Sequence, residues 1–122
     1  MSHFTLLSLP TFGDARGSLS VLDGLLPFDV KRVYWIYGAD HNTRGGHRHK
    51  ETWQALVAIA GQVEILMDDG AVQETVSLSK PDQCLLVEPK DWHQMTFGVG
   101  AVLLVLASHP FDRDDYIEQC YE

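Results

Sequence analysis

Val63-Glu64-Ile65-Leu66-Met67-Asp68-Asp69-Gly70-Ala71-Val72-Gln73-Glu74-Thr75-Val76 is the stretch that decides the fold class. Apolar and β-branched runs flank Asp69-Gly70, a pair that tolerates the positive φ of a tight hairpin turn. Outward from this hairpin the same rhythm repeats. Residues 19–22, 30–37, 56–67, 72–78, 85–87 and 102–107 are rich in strand-forming types, and Gly, Pro, Asn and Asp bound them at short spacing. Gly61-Gln62 and residues 98–100 read as further turns. The pattern predicts an all-β, antiparallel barrel or sandwich. Only the end reads as helical: over 111–120, Phe111, Tyr116, Ile117 and Cys120 form a partly amphipathic face, with Asp112 to Asp115 near its first turn.

The 122 residues suit one domain, 1–122, and no repeat or linker proposes a boundary. With 45% hydrophobic and 21% charged residues the chain can bury a real core. No apolar run reaches the roughly 18 to 20 residues that span a bilayer. Met1-Ser2-His3-Phe4 lacks the basic and apolar regions of a secretory signal, so the expected compartment is the cytoplasm. Cys84 and Cys120 have no metal or redox spacing and read as free thiols in a reducing setting. The net charge of −8 disfavours nucleic acid and anionic membrane as partners, but not a small anion held by a few focused arginines.

Chemistry concentrates after Asp40-His41-Asn42-Thr43-Arg44-Gly45-Gly46, a turn-forming stretch. His47-Arg48-His49 follows; extended, it points both imidazoles to one face, about 6 to 7 Å apart at the backbone. His93 is the candidate to join them from a later strand, either lining the pocket or as a hydrogen-bonded core residue. Paired imidazoles suit general acid and base work near neutral pH, and three of them would also suit a metal. Glu51 or Asp91 would orient one ring; the sequence does not choose between them. Along 31–37, alternation puts Arg32, Tyr34 and Ile36 on one face and Val33, Trp35 and Tyr37 on the other.

Gly45 through His47-x-His49 to Gly61 resembles the first motif of the cupin barrels, and Pro89-Lys90-Asp91-Trp92-His93 resembles a shortened second one. Metal-binding cupins carry a ligating glutamate where this chain has Gln54, a poor ligand, and Phe97 replaces the usual asparagine of the second motif. A longer match covers nearly the whole chain: Ala15-Arg16-Gly17-Ser18-Leu19, Val30-Lys31-Arg32-Val33-Tyr34, Arg44-Gly45-Gly46-His47-Arg48-His49-Lys50, Gln54, Trp92-His93-Gln94-Met95, Val105-Leu106-Ala107-Ser108 and Asp115-Tyr116-Ile117. Together they resemble the sugar 3,4-ketoisomerases, cupins that act on TDP-4-keto-6-deoxyglucose. Arg48 departs from the small residue that the family commonly has there; by alternation it points away from the site.

The resemblance implies a cupin-type (jelly-roll) antiparallel barrel with a short C-terminal helix. It implies an isomerase needing no cofactor and no metal, with His49 and His47 as catalytic residues, His49 as the base at C3 and His47 handling protons on the sugar oxygens. Arg44, with Arg16 and Arg32 second, would bind pyrophosphate or an enediolate oxygen. Tyr34, Tyr37, Gln54 and His93 complete the expected substrate contacts. Also implied is a homodimer that exchanges N-terminal strands, with Phe4-Thr5-Leu6-Leu7 as such a strand. The configuration produced at C4 stays open, the Arg16-Gly17 form leaning to galacto. Two other readings remain: another cupin enzyme, an epimerase or a metal-dependent one, and a sugar-nucleotide-binding module without catalysis.

Overall fold

The structure, a computed structural model, describes residues 3–121. Period-two burial runs through it. Its strands are β1 (Leu6–Ser8), β2 (Thr11–Asp14), β3 (Gly17–Ser20), β4 (Arg32–Ile36), β5 (Thr43–His49), β6 (Gln54–Ala60), β7 (Val63–Asp68), β8 (Gln73–Leu78), β9 (Gln83–Val87), β10 (Trp92–Phe97), β11 (Val102–Ala107) and β12 (Tyr116–Ile117). One sheet has the order β1-β9-β6-β11-β4 and the other β12-β5-β10-β7-β8, while β2 and β3 form a separate hairpin. Every pairing is antiparallel. The two inner faces share one core, Leu56, Leu85, Leu103 and Val105 meeting Ile65, Met67, Leu78 and Phe97. This is the cupin-type barrel that the motifs imply.

The opening hairpin forms as read, with β7 and β8 in register from Asp68↔Gln73 to Val63↔Leu78. Asp69 organises the turn: its carboxylate accepts from the Ala71 and Val72 amides, and Gly70 takes φ of 94°. The residues around Arg44, read as a turn, are instead part of β5. Gln94 pairs with Gly45 but His93 pairs with His47, so Gly46 is an extra, bulged residue. Gly45 and Gly46 have φ of 87° and 79°, and a Cβ on Gly45 would lie 3.0 Å from Met95 Sδ and 3.1 Å from the His93 carbonyl. The bulge shifts the parity of the strand. Arg44, opposite buried Met95, and His47, opposite buried His93, thereby point to the same interior.

The expected helix over 111–120 does not form. Asp112 caps a single 3-10 turn, Arg113–Asp115, and Tyr116–Ile117 then pair with His49 and Arg48 as an edge strand. The aspartates did mark a cap, but the Asp115 side chain is engaged by β5 neighbours, and Phe111 and Cys120 stay exposed instead of packing as a helix face. Tertiary partners override the local pattern. Strand β1, expected to be exchanged, pairs with β9 of its own chain, Leu6 opposite Leu85.

The outer face of the first sheet is also apolar. Ala55, Val57, Cys84 and Leu86 form a second cluster, covered by Leu22, Leu26 and Phe28. Beyond that cover, Trp35 is 58% and Ile59 47% exposed. Both cysteines are free, and burial pushes the Cys84 thiol up to about 11, which leaves it an inert packing group.

Candidate active site

Two strands deliver three imidazoles to one point. His47 and His49 stand two residues apart on β5, and His93 faces them from β10. Ring centroids lie 5.0 Å apart for His47–His49, 4.9 Å for His47–His93 and 5.8 Å for His49–His93. Tyr116, from β12, covers the first two at 4.7 and 4.5 Å. His49 is 2% exposed. Its Nδ1 lies 3.0 Å from Asp115 Oδ2, and Asp115 also accepts from Thr52 Oγ1 at 2.6 Å and from the Glu51 amide at 2.8 Å. Asp115 thus fixes the ring as Nδ1–H and leaves Nε2 as the lone pair, buried and with no hydrogen-bond partner among the described residues. His93 is held in the same sense, donating from Nδ1 to the Asp91 carbonyl at 3.1 Å.

A cavity of about 510 Å³ has His47 and His93 in its wall and Arg32, Tyr34, Arg44 and Tyr116 around it, while His49 packs against both histidines without lining it. Alternation on β4 works as read: Arg32 and Tyr34 turn in, Trp35 and Tyr37 out, although Tyr37 reaches the rim. Arg32 stacks over the Tyr34 ring at 4.3 Å. Gln54 is buried behind Tyr34 and donates from Nε2 to its hydroxyl oxygen at 3.2 Å, leaving the phenolic hydrogen free to point elsewhere. Arg48 points away, its guanidinium 3.9 Å from the Tyr121 ring. Arg16 is not brought to this cavity: it sits at the tip of the β2–β3 hairpin, exposed and paired with Asp14.

The family model described as "FdtA: WxcM-like, C-terminal" matches residues 2–122. The chain belongs to this family. Its relatives are sugar 3,4-ketoisomerases. It is 39% identical over 110 residues to the TDP-4-oxo-6-deoxy-α-D-glucose-3,4-oxoisomerase of Aneurinibacillus thermoaerophilus, covering 87% of this chain and 79% of that one. It superimposes with a TM-score of 0.91, at 35% identity, on a variant of the 3,4-ketoisomerase QdtA from Thermoanaerobacterium thermosaccharolyticum in complex with TDP-4-keto-6-deoxyglucose, covering 98% of this chain and 90% of that one. For the WlaRB TDP-quinovose 3,4-ketoisomerase of Campylobacter jejuni the TM-score is 0.90 at 38% identity, with 98% and 95% covered.

In this WxcM-like chain burial sets the protonation states. Desolvation, reinforced by the His49 ring, holds His47 down to about 4, and desolvation with His47 holds His93 down to about 3. Desolvation also lowers His49, while the hydrogen bond and charge of Asp115 pull against it. Burial raises the Asp115 carboxyl, but the three donors outweigh it and keep it ionised. The arrangement supplies a neutral base with an anionic anchor, a second imidazole beside it, phenols, and two guanidiniums for negative oxygen. The same three imidazoles, their ligand nitrogens all within 4.8 Å of one another, also fit a three-histidine cation site.

Sequence reasoning brought together His47, His49, His93, Arg32, Arg44 and Tyr34. It missed Asp115, Thr52 and Tyr116, the anchor and the lid. The signal for Asp115 and Tyr116 was present as Asp115-Tyr116-Ile117, but the helical reading gave Asp115 to a first turn and Tyr116 to a helix face. Asp91, one of the two carboxylates considered as the anchor, instead accepts from the Glu88 amide, and Glu51 contributes only its own amide.

Proposed function

We propose that this single cupin unit is a TDP-4-keto-6-deoxyglucose 3,4-ketoisomerase working without a metal, with His49 as the base. The observation that carries the reading is the His49 lone pair, buried and unpartnered on a ring anchored by Asp115, beside the His47 and His93 rings that line a cavity holding two arginines. His49 Nε2 takes the C3 proton, and the C3–H electron pair becomes the C3=C4 bond as O4 gains the charge. Arg44 and Arg32 stabilise that charge, and Tyr34 or Tyr116 donates to it. His47 carries the O3 proton across to O4 as C3=O forms, and C4 takes a proton from the His49 imidazolium, whose N–H exchanges with solvent, so both imidazoles end neutral. Each such proton transfer contributes typically about 10²- to 10⁴-fold.

The deciding experiment is incubation of TDP-4-keto-6-deoxyglucose with the protein in D₂O, followed by NMR. Deuterium at C4 with the ketone at C3 is the expected result. Tight binding with no exchange would make the chain a binding module and end this reading.

The assembly belongs to the same proposal: a homodimer in which β1 stays paired with β9 and the N-terminal β2–β3 hairpin reaches across to the second copy. The β2–β3 hairpin joins no other strand among the described residues, and its Phe12 and Leu19 are 64% and 63% exposed. An apolar hairpin beside an apolar outer sheet face is complementary to a second copy. Crossing to that copy would also give Arg16, outside its own cavity, a neighbouring one to serve. Two unpaired thiols suit a reducing, cytoplasmic setting.

A further inference from the structure

We infer that Tyr121 is a positioning residue for His93 and His49, acting from the outer side of the second sheet through the Lys90 peptide, with Arg48 holding its ring. The role in turnover rests on the isomerase reading; the latch itself does not.

Residues 88–91 form a tight turn, the Asp91 amide donating to the Glu88 carbonyl at 3.1 Å. Pro89 stands second in it and Lys90 third, with φ of 76°. That is the pattern of a type II turn, whose third position normally belongs to Gly or Asn. A lysine held left-handed is strained and persists where contacts from outside over-determine it.

Two such contacts come from beyond the turn. The Lys90 amide donates to the His49 carbonyl at 2.7 Å, and the Lys90 carbonyl accepts from the Tyr121 hydroxyl at 2.7 Å. One residue on, the Asp91 carbonyl takes the Nδ1–H of His93 at 3.1 Å. The same turn therefore holds the backbone of one imidazole-bearing strand and sets the tautomer of the imidazole on the other. A shift of the 90–91 peptide moves both rings.

The Tyr121 ring is itself gripped. The Arg48 guanidinium lies 3.9 Å from its centroid, a cation–π contact. A Cβ on Gly70 would come within 3.0 Å of ring Cε1, so the β7–β8 turn closes against the ring as well. Arg48 and His49 are neighbours on β5 and turn to opposite faces, which puts the latch directly behind the site. Only residues 118–120 separate β12 from Tyr121. The tail that brings Asp115 and Tyr116 to the site is thus fixed at its far end too.

The test compares Tyr121→Phe, Tyr121→Ala, Arg48→Ala and Arg48→Lys in the full chain. Hydrogen exchange at the Lys90 and Asp91 amides and the ¹⁵N shifts of the His93 ring read the latch, and the D₂O assay reads turnover. Tyr121→Phe keeps the ring and should speed exchange at those amides about 2- to 10-fold, the worth of one hydrogen bond. It should lower kcat with KM little changed. Tyr121→Ala should do more and add a second tautomer to the His93 signal. Arg48→Ala should act as a weaker Tyr121→Ala, and Arg48→Lys, with a cation still over the ring, should recover most of the loss. Unchanged amide exchange and a single His93 tautomer in Tyr121→Ala would overturn the inference. So would an unchanged kcat once the Lys90 bond is lost, a loss confined to KM, or a kcat that merely tracks a lowered Tm across the variants. An unmodified protein without turnover would defeat the isomerase reading, while the amide and ring signals would still decide the latch.

Discussion

In the proposed mechanism the Asp115 contact selects which of two adjacent histidines is the base. The hydrogen bond and charge of Asp115 oppose the loss of basicity that burial imposes on His49, a support that His47, with no anion beside it, lacks. It also fixes the tautomer, since only Nδ1–H satisfies Asp115 and only Nε2 then carries a lone pair. Replacing Asp115 by Asn should lower kcat at least about 10-fold with a smaller change in KM. Loss of the anion lowers the His49 pKa further, so the acid limb of the kcat/KM profile should move to lower pH. A pH–rate profile checks this, and an unmoved acid limb would remove Asp115 from the mechanism. His49→Asn and His47→Asn should each cost about 10²- to 10⁴-fold in exchange at saturating substrate. Full activity in both would sink the whole scheme.

Strand β5 shows what was and was not legible before the fold was known. Its two histidines were readable because i and i+2 on any extended chain share a face. That Arg44 shares that face was not readable: 44 and 47 have opposite parity, and only the Gly46 bulge reconciles them. The glycine pair was visible, but as a turn, because positive φ serves bulges and turns alike. The strand–turn rhythm and the jelly-roll order were legible from alternation and from the ordered motifs. The C-terminal segment was not, since its conformation is set by partners distant in sequence, His49 and Thr52 among them. The bulge gives a direct test. Gly45→Ala must hold Cβ at φ of 87° and against Met95 and the His93 carbonyl, so it should cost about 1–3 kcal/mol in unfolding free energy. It should also misplace His47 and reduce turnover, whereas Gly24→Ala, equally left-handed but with open space around its Cβ, should leave turnover near the original. Denaturant melts and the D₂O assay read the two effects; an active Gly45→Ala would mean the bulge does not position the site.

Across the whole molecule, the apolar outer face and the acid-sensitive core make separate predictions. Trp35→Glu and Ile59→Lys place charge on the exposed face of the first sheet and should shift the mass found by light scattering from two chains towards one; an unchanged dimer would put the interface elsewhere. The core argument concerns protons. His93 and His47 have pKa values depressed to about 3 and about 4 against 6.5 unfolded, so their contribution to stability is complete above 6.5 and lost as pH falls through those values. For His93 alone the loss is on the order of a few kcal/mol. Asp115, also depressed, loses its contribution in acid too, below the ordinary carboxylate value. Asp91 runs the other way: desolvation raises it to about 6, so it adds stability below the unfolded value of 3.8 and loses it as pH rises through 6. It therefore opposes the histidines between about 6 and 4. Two deeply depressed imidazoles outweigh one raised carboxyl, so Tm should fall as pH is lowered from 6.5 towards 4. Asp91→Asn removes the opposing group while keeping an acceptor for the Glu88 amide, and its Tm should fall more steeply over the same range. Thermal unfolding measured at half-unit steps reads both slopes, and a Tm that stays level from pH 7 to 4 in the unmodified chain would mean that the buried imidazoles are not held neutral.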